Sequence, residues 1–259
     1  RVRVTTFDGR VYRGTIGSIP PHLLTDAKRN TPVEIQDLLV DIGARSKQEV
    51  LDMGITLGDM VVLDGDFVRL NEHRILSKAL DNRYGCAMAL AMLEAFKDVD
   101  LPFDLIAGAT VQEEVGLRGA QTAANLTQPD IAIVYDCSPA NDAGADKDVL
   151  GKLGAGVLLR FVDASMLPNR CMLERLKKTA IAHDIPHQYY LSLGGTDAGA
   201  IHKSSMGVPT LTICICARNI HTSSSICDVN DLNSALRVSS HFIEELNDTI
   251  INDMITCNQ

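Results

Sequence analysis

The stretch that organises this sequence is Thr110-Val111-Gln112-Glu113-Glu114-Val115-Gly116. It closes an apolar run, residues 105–110, which predicts a buried strand. In an α/β protein the carboxyl ends of the strands open into the ligand crevice, so adjacent glutamates here are placed for chemistry. Neighbouring residues on an irregular segment point in different directions, so Glu113 and Glu114 can take different roles, one binding a metal and the other handling a proton. Taken alone, the pair is more simply interpreted as two acids on a solvated loop.

Composition excludes several classes of partner. The 259 residues carry a formal net charge of -9, which argues against a phosphate-backbone partner, so no nucleic acid is expected. Trp is absent and aromatic residues make up only 4%, which argues against a stacking surface for sugars. No apolar run approaches the roughly 20 residues that cross a bilayer, so no membrane partner is expected. The 7 cysteines are scattered without a C-x-x-C pair, which predicts reduced thiols in a cytoplasmic protein.

Residues 1–77 predict a small β-rich domain. The β-rich runs 2–6 and 11–16 are joined by Asp8-Gly9, a strong hairpin signal. The capping-box spacing of Ser46-Lys47-Gln48-Glu49 predicts a short helix that ends near Gly54. Little in this part of the chain could be catalytic.

Residues 78–259 predict an α/β domain. Strands alternate with helices, which favours a mostly parallel sheet covered by helices on both faces. The first helix, 82–96, has too many apolar positions for a one-sided amphipath, so we expect it to be buried. The remaining predicted helices are 119–125, 169–183 and 233–251, and the remaining predicted strands are 131–135, 156–162, 187–191 and 210–216.

Acidic residues and one histidine recur where predicted strands meet loops. Asp81 precedes the first helix, Glu113 and Glu114 follow one strand, Asp136 follows another, and His221 follows the strand at 210–216. These junctions can converge on one end of the sheet, where carboxylate oxygen and imidazole nitrogen would suit Zn²⁺ or a related divalent ion. Each position has a plainer interpretation as well: a helix N-cap, a loop acid or a surface histidine. Their order and placement as a set are what indicate a metal site.

Five motifs carry a family resemblance. They are Lys78-Ala79-Leu80-Asp81-Asn82-Arg83, Gln112-Glu113-Glu114-Val115-Gly116, Val134-Tyr135-Asp136, Gly194-Gly195-Thr196-Asp197-Ala198-Gly199-Ala200 and Ala217-Arg218-Asn219-Ile220-His221. As a set they resemble the motifs of the dinuclear-metal aminopeptidases that form tetrahedral (TET) assemblies, a family that includes glutamyl aminopeptidase. The similarity runs from about Arg1 to Ile251.

The resemblance implies a fold, a cofactor and an assembly. The fold would be an α/β metallopeptidase sheet covered by helices, with residues 1–77 as a β-barrel dimerisation domain and 78–259 as the catalytic domain. Each subunit would hold two divalent ions, with Zn²⁺ the expected ion and Co²⁺ or Mn²⁺ the alternatives. The assembly would be a homo-oligomer built from dimers, with a dodecamer as one form.

The resemblance also implies residue roles in hydrolysis of N-terminal residues from small peptides. Asp81 would bridge the two metals, Glu114 and Asp136 would each hold one, and His221 would be a further ligand. Glu113 would be the general base that takes a proton from water and returns it to the leaving amine.

Substrate preference is a separate expectation. The segments around Asp136, Lys152 and Arg218 look most like the glutamyl-preferring branch of the family. The residues expected to contact substrate are Lys152, Arg160, Gly195, Thr196, Asp197 and Arg218. Each of the three cations could instead be a surface or supporting charge, and the glycine-rich turn could simply reverse the chain.

One family motif has no counterpart in this sequence. The family carries an early His-x-Asp metal-ligand motif, and neither His22 nor His202 replaces it. We expect the chain to be part of a longer enzyme, with a truncated, non-catalytic paralogue acting as an assembly subunit as the alternative. Hydrolysis of glycans is a third hypothesis, because some family members are named endoglucanases. The sequence does not support it, since it offers no Trp and few other aromatic residues for a sugar-binding surface.

Overall fold

A computed structural model describes residues 1–17, 19–26, 30–144 and 150–257. The chain divides into two compact units, Arg1–Asp66 and Phe67–Gln259. The division falls before the predicted boundary at residue 77, because strands β5 (Val68–Arg69) and β6 (Arg74–Ser77) belong to a sheet of the second unit, where β6 pairs with β11 (Ser225–Asp228). Within the described ranges, no helix is both long and apolar enough to span a bilayer.

The described residues of the first unit form an antiparallel sheet, one short α-helix and two single-turn 3-10 helices, Pro21–Leu23 and Ile35–Asp37. Its strands are β1 (Val2–Thr5), β2 (Val11–Gly17), β3 (Leu39–Asp41) and β4 (Met60–Leu63), in the order β3-β2-β1-β4. The Asp8-Gly9 hairpin between β1 and β2 is confirmed, with Gly9 at φ 86°. The predicted barrel remains a prediction, because the strand pairs among the described residues do not join β3 to β4.

Helix α1 (Lys47–Asp52) of this unit begins as its sequence predicts. The Ser46 side chain accepts a hydrogen bond from the Glu49 backbone nitrogen at 3.1 Å. This bond satisfies one of the amide groups that a helix start leaves without an internal partner, so the predicted helix start at Ser46 is confirmed. The Glu49 carboxylate accepts from the Arg45 nitrogen at 2.7 Å, one residue before the position that a capping box uses.

The second unit is built on a four-stranded mixed sheet. Its strands are β7 (Ala132–Pro139), β8 (Val157–Val162), β9 (His187–Leu191) and β10 (Thr210–Ala217), in the order β7-β10-β8-β9. The pairs β7–β10 and β8–β9 are parallel, whereas β8 and β10 are antiparallel. The expectation of a mostly parallel sheet is therefore corrected to a mixed one.

The described part of the second unit contains six α-helices. They are α2 (Leu80–Phe96), α3 (Arg118–Thr127), α4 (Arg170–Ala182), α5 (Ala198–Ile201), α6 (Val229–Glu244) and α7 (Asp248–Thr256). The single predicted helix 233–251 is wrong, because Asn247 caps a new helix by accepting a hydrogen bond from the Ile250 nitrogen at 3.0 Å. The prediction that α2 is buried all round is also wrong. Its buried large side chains, Tyr84, Met88, Met92 and Phe96, follow one stripe, while Leu90 is exposed.

The two faces of the sheet have different contents. Side chains alternate along a strand, so Ile213 and Ile215 of β10 lie on the face that packs into the main core with α2, α4 and α6. Cys214 and Cys216 lie on the opposite face, in a smaller buried cluster with Leu158. Because Cys214 pairs in register with Asp136 of β7 and with Leu158 of β8, the side chain of Asp136 lies on this second face.

The strand predicted at 105–110 is absent from the structure. These residues carry no regular secondary structure, although Leu105 packs against the main core and Ile106 is 63% exposed. The alternation of side chains is that of an extended segment, as the sequence suggests. A strand also needs a ladder partner, and the described pairings give this segment none.

Two cysteines form a disulfide, which corrects the expectation of reduced thiols throughout. Cys171, at the start of α4, is bonded to Cys257, directly after α7, with the Cα atoms 6.1 Å apart. The side chain of Asn169 also donates to the Met254 carbonyl at 3.0 Å, so α7 is attached to α4 at two places. The other five cysteines are free, and four of them are buried.

Candidate metal centre

Asp81 lies at the first residues of α2, where the backbone is not yet helical. Its φ and ψ are -87° and 105°, and the next residue, Asn82, also departs from helical values. The Asn82 side chain donates to the Tyr135 carbonyl and accepts from the Gly85 nitrogen, both at 2.7 Å. These bonds hold the start of α2 against β7. Gly85 permits the close approach, because a Cβ atom there would lie 2.6 Å from the Tyr135 carbonyl oxygen.

Asp136 lies inside β7 rather than after it. The sequence places the end of this strand at residue 135, but β7 continues to Pro139 because it pairs with β10 along its whole length. Asp136 is only 6% exposed, and its Oδ1 accepts a hydrogen bond from the Cys137 nitrogen at 2.8 Å. The carboxylate is therefore fixed in place by its own strand.

His221 projects from the loop between β10 and β11. The base of this loop is closed by two backbone hydrogen bonds between Arg218 and Ile226, each 3.0 Å long. Inside the loop, the Ser225 hydroxyl donates to the Asn219 carbonyl at 3.0 Å. His221 itself has φ 62°, a left-handed conformation that turns its imidazole back toward the start of α2.

Asp81, Glu114 and His221 come together as the sequence predicts. The Nε2 atom of His221 is 3.0 Å from Oδ2 of Asp81 and 3.5 Å from Oε2 of Glu114. One donor atom from each residue lies within 4.8 Å of the other two. Two carboxylates and an imidazole at this spacing fit a divalent ion such as Zn²⁺. Asp136 lies outside this group of three among the residues that the structure describes.

The electrostatics of the site also fit a bound cation. Burial, followed by the charges of Glu114, Asp197 and Asp81, raises the pKa of Glu113 to about 7. Burial and the charge of Asp81 raise the pKa of Asp136 to about 8. The pKa of Glu114 is raised by the same two causes. These carboxyl groups repel one another when ionised, and a divalent ion among them would remove that repulsion.

Arg160 is buried beside the site rather than exposed to a substrate. It is 3% exposed, and its Nη2 donates to Oδ2 of Asp163 at 3.0 Å and to the Gly194 carbonyl at 2.5 Å. Its Nη1 donates to the Ser138 hydroxyl at 3.3 Å. The charge of Arg160 is close enough to lower the pKa of Asp136, although burial outweighs that effect. The structure thus gives Arg160 partners inside the protein.

The other two predicted cations lie on loops. Lys152 is exposed, and its backbone nitrogen and carbonyl both bond to the side chain of Gln188, at 2.9 and 2.8 Å. Arg218 is half-buried, and its Nε donates to Oδ1 of Asp142 at 2.5 Å. This bond is the main cause that lowers the pKa of Asp142. Arg218 therefore already has a carboxylate partner, three residues before His221.

The glycine-rich turn is tied to the loop that carries Glu113 and Glu114. Gly195 is exposed, whereas Thr196 and Asp197 are buried. Thr196 donates from Oγ1 to Oδ2 of Asp163 at 3.1 Å, and Thr110 donates from Oγ1 to Oδ2 of Asp197. Asp197 therefore lies next to the segment that carries Glu113.

The sequence analysis missed three residues that organise the site. Asn82 adjoins Asp81, Thr110 lies three residues before Glu113, and Asp163 lies three residues after Arg160. A polar residue beside each predicted functional residue was the available signal. Thr110 and Asp197 are 87 positions apart in the sequence, so their pairing could not be foreseen.

Comparison with known proteins places this geometry in a family. The sequence pattern of the M42 glutamyl aminopeptidases matches residues 1–238. The chain belongs to the M42 glutamyl aminopeptidase family. It is therefore a peptidase, a hydrolase of peptide bonds. Glutamyl aminopeptidase of Lactococcus lactis subsp. cremoris is 40% identical over 252 residues, which cover 95% of this chain and 70% of that protein.

Solved structures confirm the α/β fold of M42 peptidases. The TET aminopeptidase of the marine sediment archaeon Thaumarchaeota archaeon SCGC AB-539-E09 superposes with a TM-score of 0.92 at 35% identity, covering 98% of this chain and 72% of that one. The Pyrococcus horikoshii TET1 peptidase, which can assemble into a tetrahedron or a large octahedral shell, gives 0.80 at 31% identity, covering 95% and 72%.

Proposed function

We propose that this M42 peptidase is a metal-dependent aminopeptidase that removes N-terminal residues from small peptides. The observation that carries the proposal is the convergence of Asp81, Glu114 and His221, whose donor atoms lie within 4.8 Å of one another beside Glu113. Peptide hydrolysis needs a polarised carbonyl, an activated water and a group that can move a proton. The metal-binding residues would hold ions that polarise the carbonyl and activate the water, and Glu113 would move the proton.

The metal-binding residues have distinct proposed roles. The carboxylate of Asp81 contacts the imidazole of His221, and its charge raises the pKa of Glu114. Asp81 is therefore the residue best placed to bridge two ions. Glu114, His221 and the buried Asp136 would supply the other ligands. Bound divalent ions, Zn²⁺ first and Co²⁺ or Mn²⁺ as alternatives, would polarise the scissile carbonyl and lower the pKa of a water molecule.

Glu113 is the proposed general base. A carboxylate can accept a proton from water and give it back within one turnover, and the partial burial of Glu113 raises the pKa of this group in favour of that role. Glu113 is half-buried and adjoins the ligand Glu114 in sequence, so it can reach the attacking water. The proton it takes from that water would pass to the nitrogen of the leaving amine.

The cluster of carboxylates also suits a substrate with a free N-terminus. An α-ammonium group would be attracted to Asp81, Glu114 and Asp136, which accounts for action at the end of a peptide. A preference for glutamyl or aspartyl residues is supported by the similarity to glutamyl aminopeptidase and by Lys152 and Arg218 on nearby loops. Gly195 is the exposed part of the turn that could face a substrate backbone.

The central experiment measures bound ions and turnover on the same samples. Chelated protein is reloaded with Zn²⁺, Co²⁺ or Mn²⁺, its metal content is determined by mass spectrometry, and hydrolysis of glutamyl, aspartyl, leucyl and lysyl p-nitroanilides is followed. We expect turnover only in loaded protein, fastest on the acidic substrates. Glu113→Gln should keep its ions and lose about 10²- to 10⁴-fold in kcat, while Asp81→Asn should lose the ions.

Glu94→Gln is the matched control, because Glu94 is an exposed helix residue that pairs only with Lys97 in the described contacts. It should behave like the unmodified protein. At most one bound ion and no turnover on any peptide substrate would contradict the proposal and support a non-catalytic assembly subunit. Hydrolysis of a soluble glucan instead of peptides would support the endoglucanase reading.

Self-assembly is part of the proposal. The first unit exposes large apolar side chains, among them Phe7 at 101%, Leu39 at 77% and Leu57 at 104%. Exposed apolar side chains that gather into a patch commonly mark an interface between proteins. Together with the TET neighbours, this supports a homo-oligomer built from dimers, up to a dodecamer, which light scattering after size-exclusion chromatography would measure.

A further inference from the structure

A buried ion pair holds the turn between β9 and α5. The guanidinium of Arg160 bonds the carboxylate of Asp163 and the carbonyl of Gly194; Arg160 and Asp163 are buried, whereas Gly194 lies at the surface. The same carboxylate accepts from Thr196, two residues further along the turn, at 3.1 Å. Charge-assisted bonds in a buried setting fix geometry more firmly than bonds on a surface. The turn at residues 194–197 is therefore rigidly placed.

Ser165 completes this support from the other side. Its backbone nitrogen and hydroxyl donate to Oδ1 of Asp163 at 2.8 and 2.6 Å. A Cβ atom at Gly195 would lie 2.9 Å from the Ser165 hydroxyl oxygen, and one at Gly199 would lie 2.0 Å from it. The two glycines thus let the turn and the first residues of α5 rest directly on Ser165.

The turn ends at Asp197, whose side chain bonds to the start of the loop that carries Glu113. Oδ2 of Asp197 accepts the Thr110 hydroxyl, and Oδ1 is buried with no hydrogen-bond partner among the described residues. Thr110 belongs to a segment without a strand ladder, so this side-chain bond is a principal constraint on its position. At the other end of the loop, the nitrogens of Leu117 and Gly119 bond the carbonyls of Glu113 and Val111, both at 2.9 Å.

We propose that Asp197, acting through the Thr110 hydroxyl, is a positioning residue for Glu113. This inference rests on the proposed function, in which Glu113 moves the proton. Asp197 need not touch the substrate for this role. The buried Arg160–Asp163 pair holds the turn that carries Asp197, and Asp197 in turn holds Thr110, three residues before Glu113. A displacement of about 1 Å at a catalytic group can lower the rate about 10²-fold. The Asp197–Thr110 bond, which we call the clamp, can therefore affect the reaction rate by fixing the position of Glu113.

Thr110→Val tests the clamp, because it removes the hydroxyl and keeps the shape of the side chain. In metal-loaded protein we expect kcat to fall about 10- to 100-fold with KM changed less than twofold and with unchanged metal content. Thr110→Ser, which keeps the hydroxyl, should restore kcat to within about threefold. The matched control is Thr179→Val, which removes a buried hydroxyl bonded to Glu245, away from the site, and should leave kcat unchanged.

Two further measurements separate positioning from general destabilisation. In a Glu113→Gln background, adding Thr110→Val should cause no further loss, because the group being positioned is gone. Amide hydrogen exchange at residues 111–117 should be faster in Thr110→Val than in Thr110→Ser. Equal losses of kcat in both backgrounds, or unchanged exchange at 111–117, would overturn the inference.

The exchange measurement does not depend on turnover. If the unmodified protein proves inactive while exchange still rises in Thr110→Val, the proposed function fails and the clamp on the loop stands. If turnover is normal while neither kcat nor exchange responds to Thr110→Val, the proposed function stands and the clamp fails. The two failures are therefore distinguishable.

Discussion

Gly85→Ala is the perturbation whose outcome the structure defines most sharply. Alanine is the better helix former, and this exchange in a helix interior ordinarily stabilises by about 0.5 to 1 kcal/mol. Here the new Cβ would lie 2.6 Å from the Tyr135 carbonyl oxygen and 2.6 Å from Oδ1 of Asn82. To reach ordinary contact at 3.4 Å, the helix and β7 must separate by about 0.8 Å.

That separation would stretch the two 2.7 Å hydrogen bonds of Asn82 to the limit of useful length. Losing both costs about 2 kcal/mol, and the overpacking adds about 1 to 3 kcal/mol. After the helix-propensity gain, we expect a net destabilisation of about 2 to 4 kcal/mol. For a chain of this length each kcal/mol lowers Tm by about 2 to 4 °C, so Tm should fall by about 4 to 16 °C.

The assay is thermal unfolding followed by circular dichroism, with metal affinity measured on the same samples by titration. Affinity should also fall, because Asp81 and Asp136 stand on the two elements that are pushed apart. Gly108→Ala is the control, since a Cβ at Gly108 meets nothing within 4 Å. A Tm for Gly85→Ala equal to or above that of the unmodified protein would refute the steric reasoning.

Three more outcomes are expected. Reducing the Cys171–Cys257 bond, which closes 86 residues, should destabilise by about 2 to 4 kcal/mol in urea unfolding, and the doubly serine-substituted variant should not respond to reductant. Glu113 and Asp136 hold protons more tightly in the folded than in the unfolded protein, so their contribution to the unfolding free energy of chelated protein should be complete below about pH 4 and be lost as pH rises toward about 7 for Glu113 and about 8 for Asp136. This contribution is measured as the difference between the unmodified protein and the Glu113→Gln, Asp136→Asn double variant, and a difference that does not change with pH would contradict the raised pKa values. Asp231→Ala removes the acceptor of the Gly154 and Gly156 nitrogens and should cost about 2 to 4 kcal/mol in the same assay, more than Asp231→Asn.

Local signals in the sequence were sufficient for most element positions. The Asp8-Gly9 hairpin and the Ser46 cap are decided by residues within one turn of each other, and both are confirmed. The predicted strand at 105–110 fails because a ladder requires a partner, which is not a local property. The break before α7 has a local signal in Asn247, a good N-cap residue, which the single predicted helix 233–251 did not use.

The site followed the same division. Asp81, Glu114 and His221 could be predicted to converge because their motifs follow one another in a known order, and the structure brings them together. The role of Arg160 could not be foreseen, because its partner Asp163 competes with any substrate for the guanidinium, and that competition depends on burial. Arg218 and Asp142 pair at a separation of 76 residues along the sequence, which no local pattern predicts.

The alternation along β10 has a consequence for how this protein tolerates change. Ile213 and Ile215 hold the helices on one side, while Cys214 and Cys216 line the side that carries Asp136. A substitution at one of these positions perturbs one face. Deletion of a single residue within β10 would instead exchange the two faces at once, bringing thiols into the core and isoleucines beside the carboxylates. Both faces of the sheet therefore constrain the register of this strand. We expect insertions and deletions in β10 to be far rarer than substitutions among variants that fold.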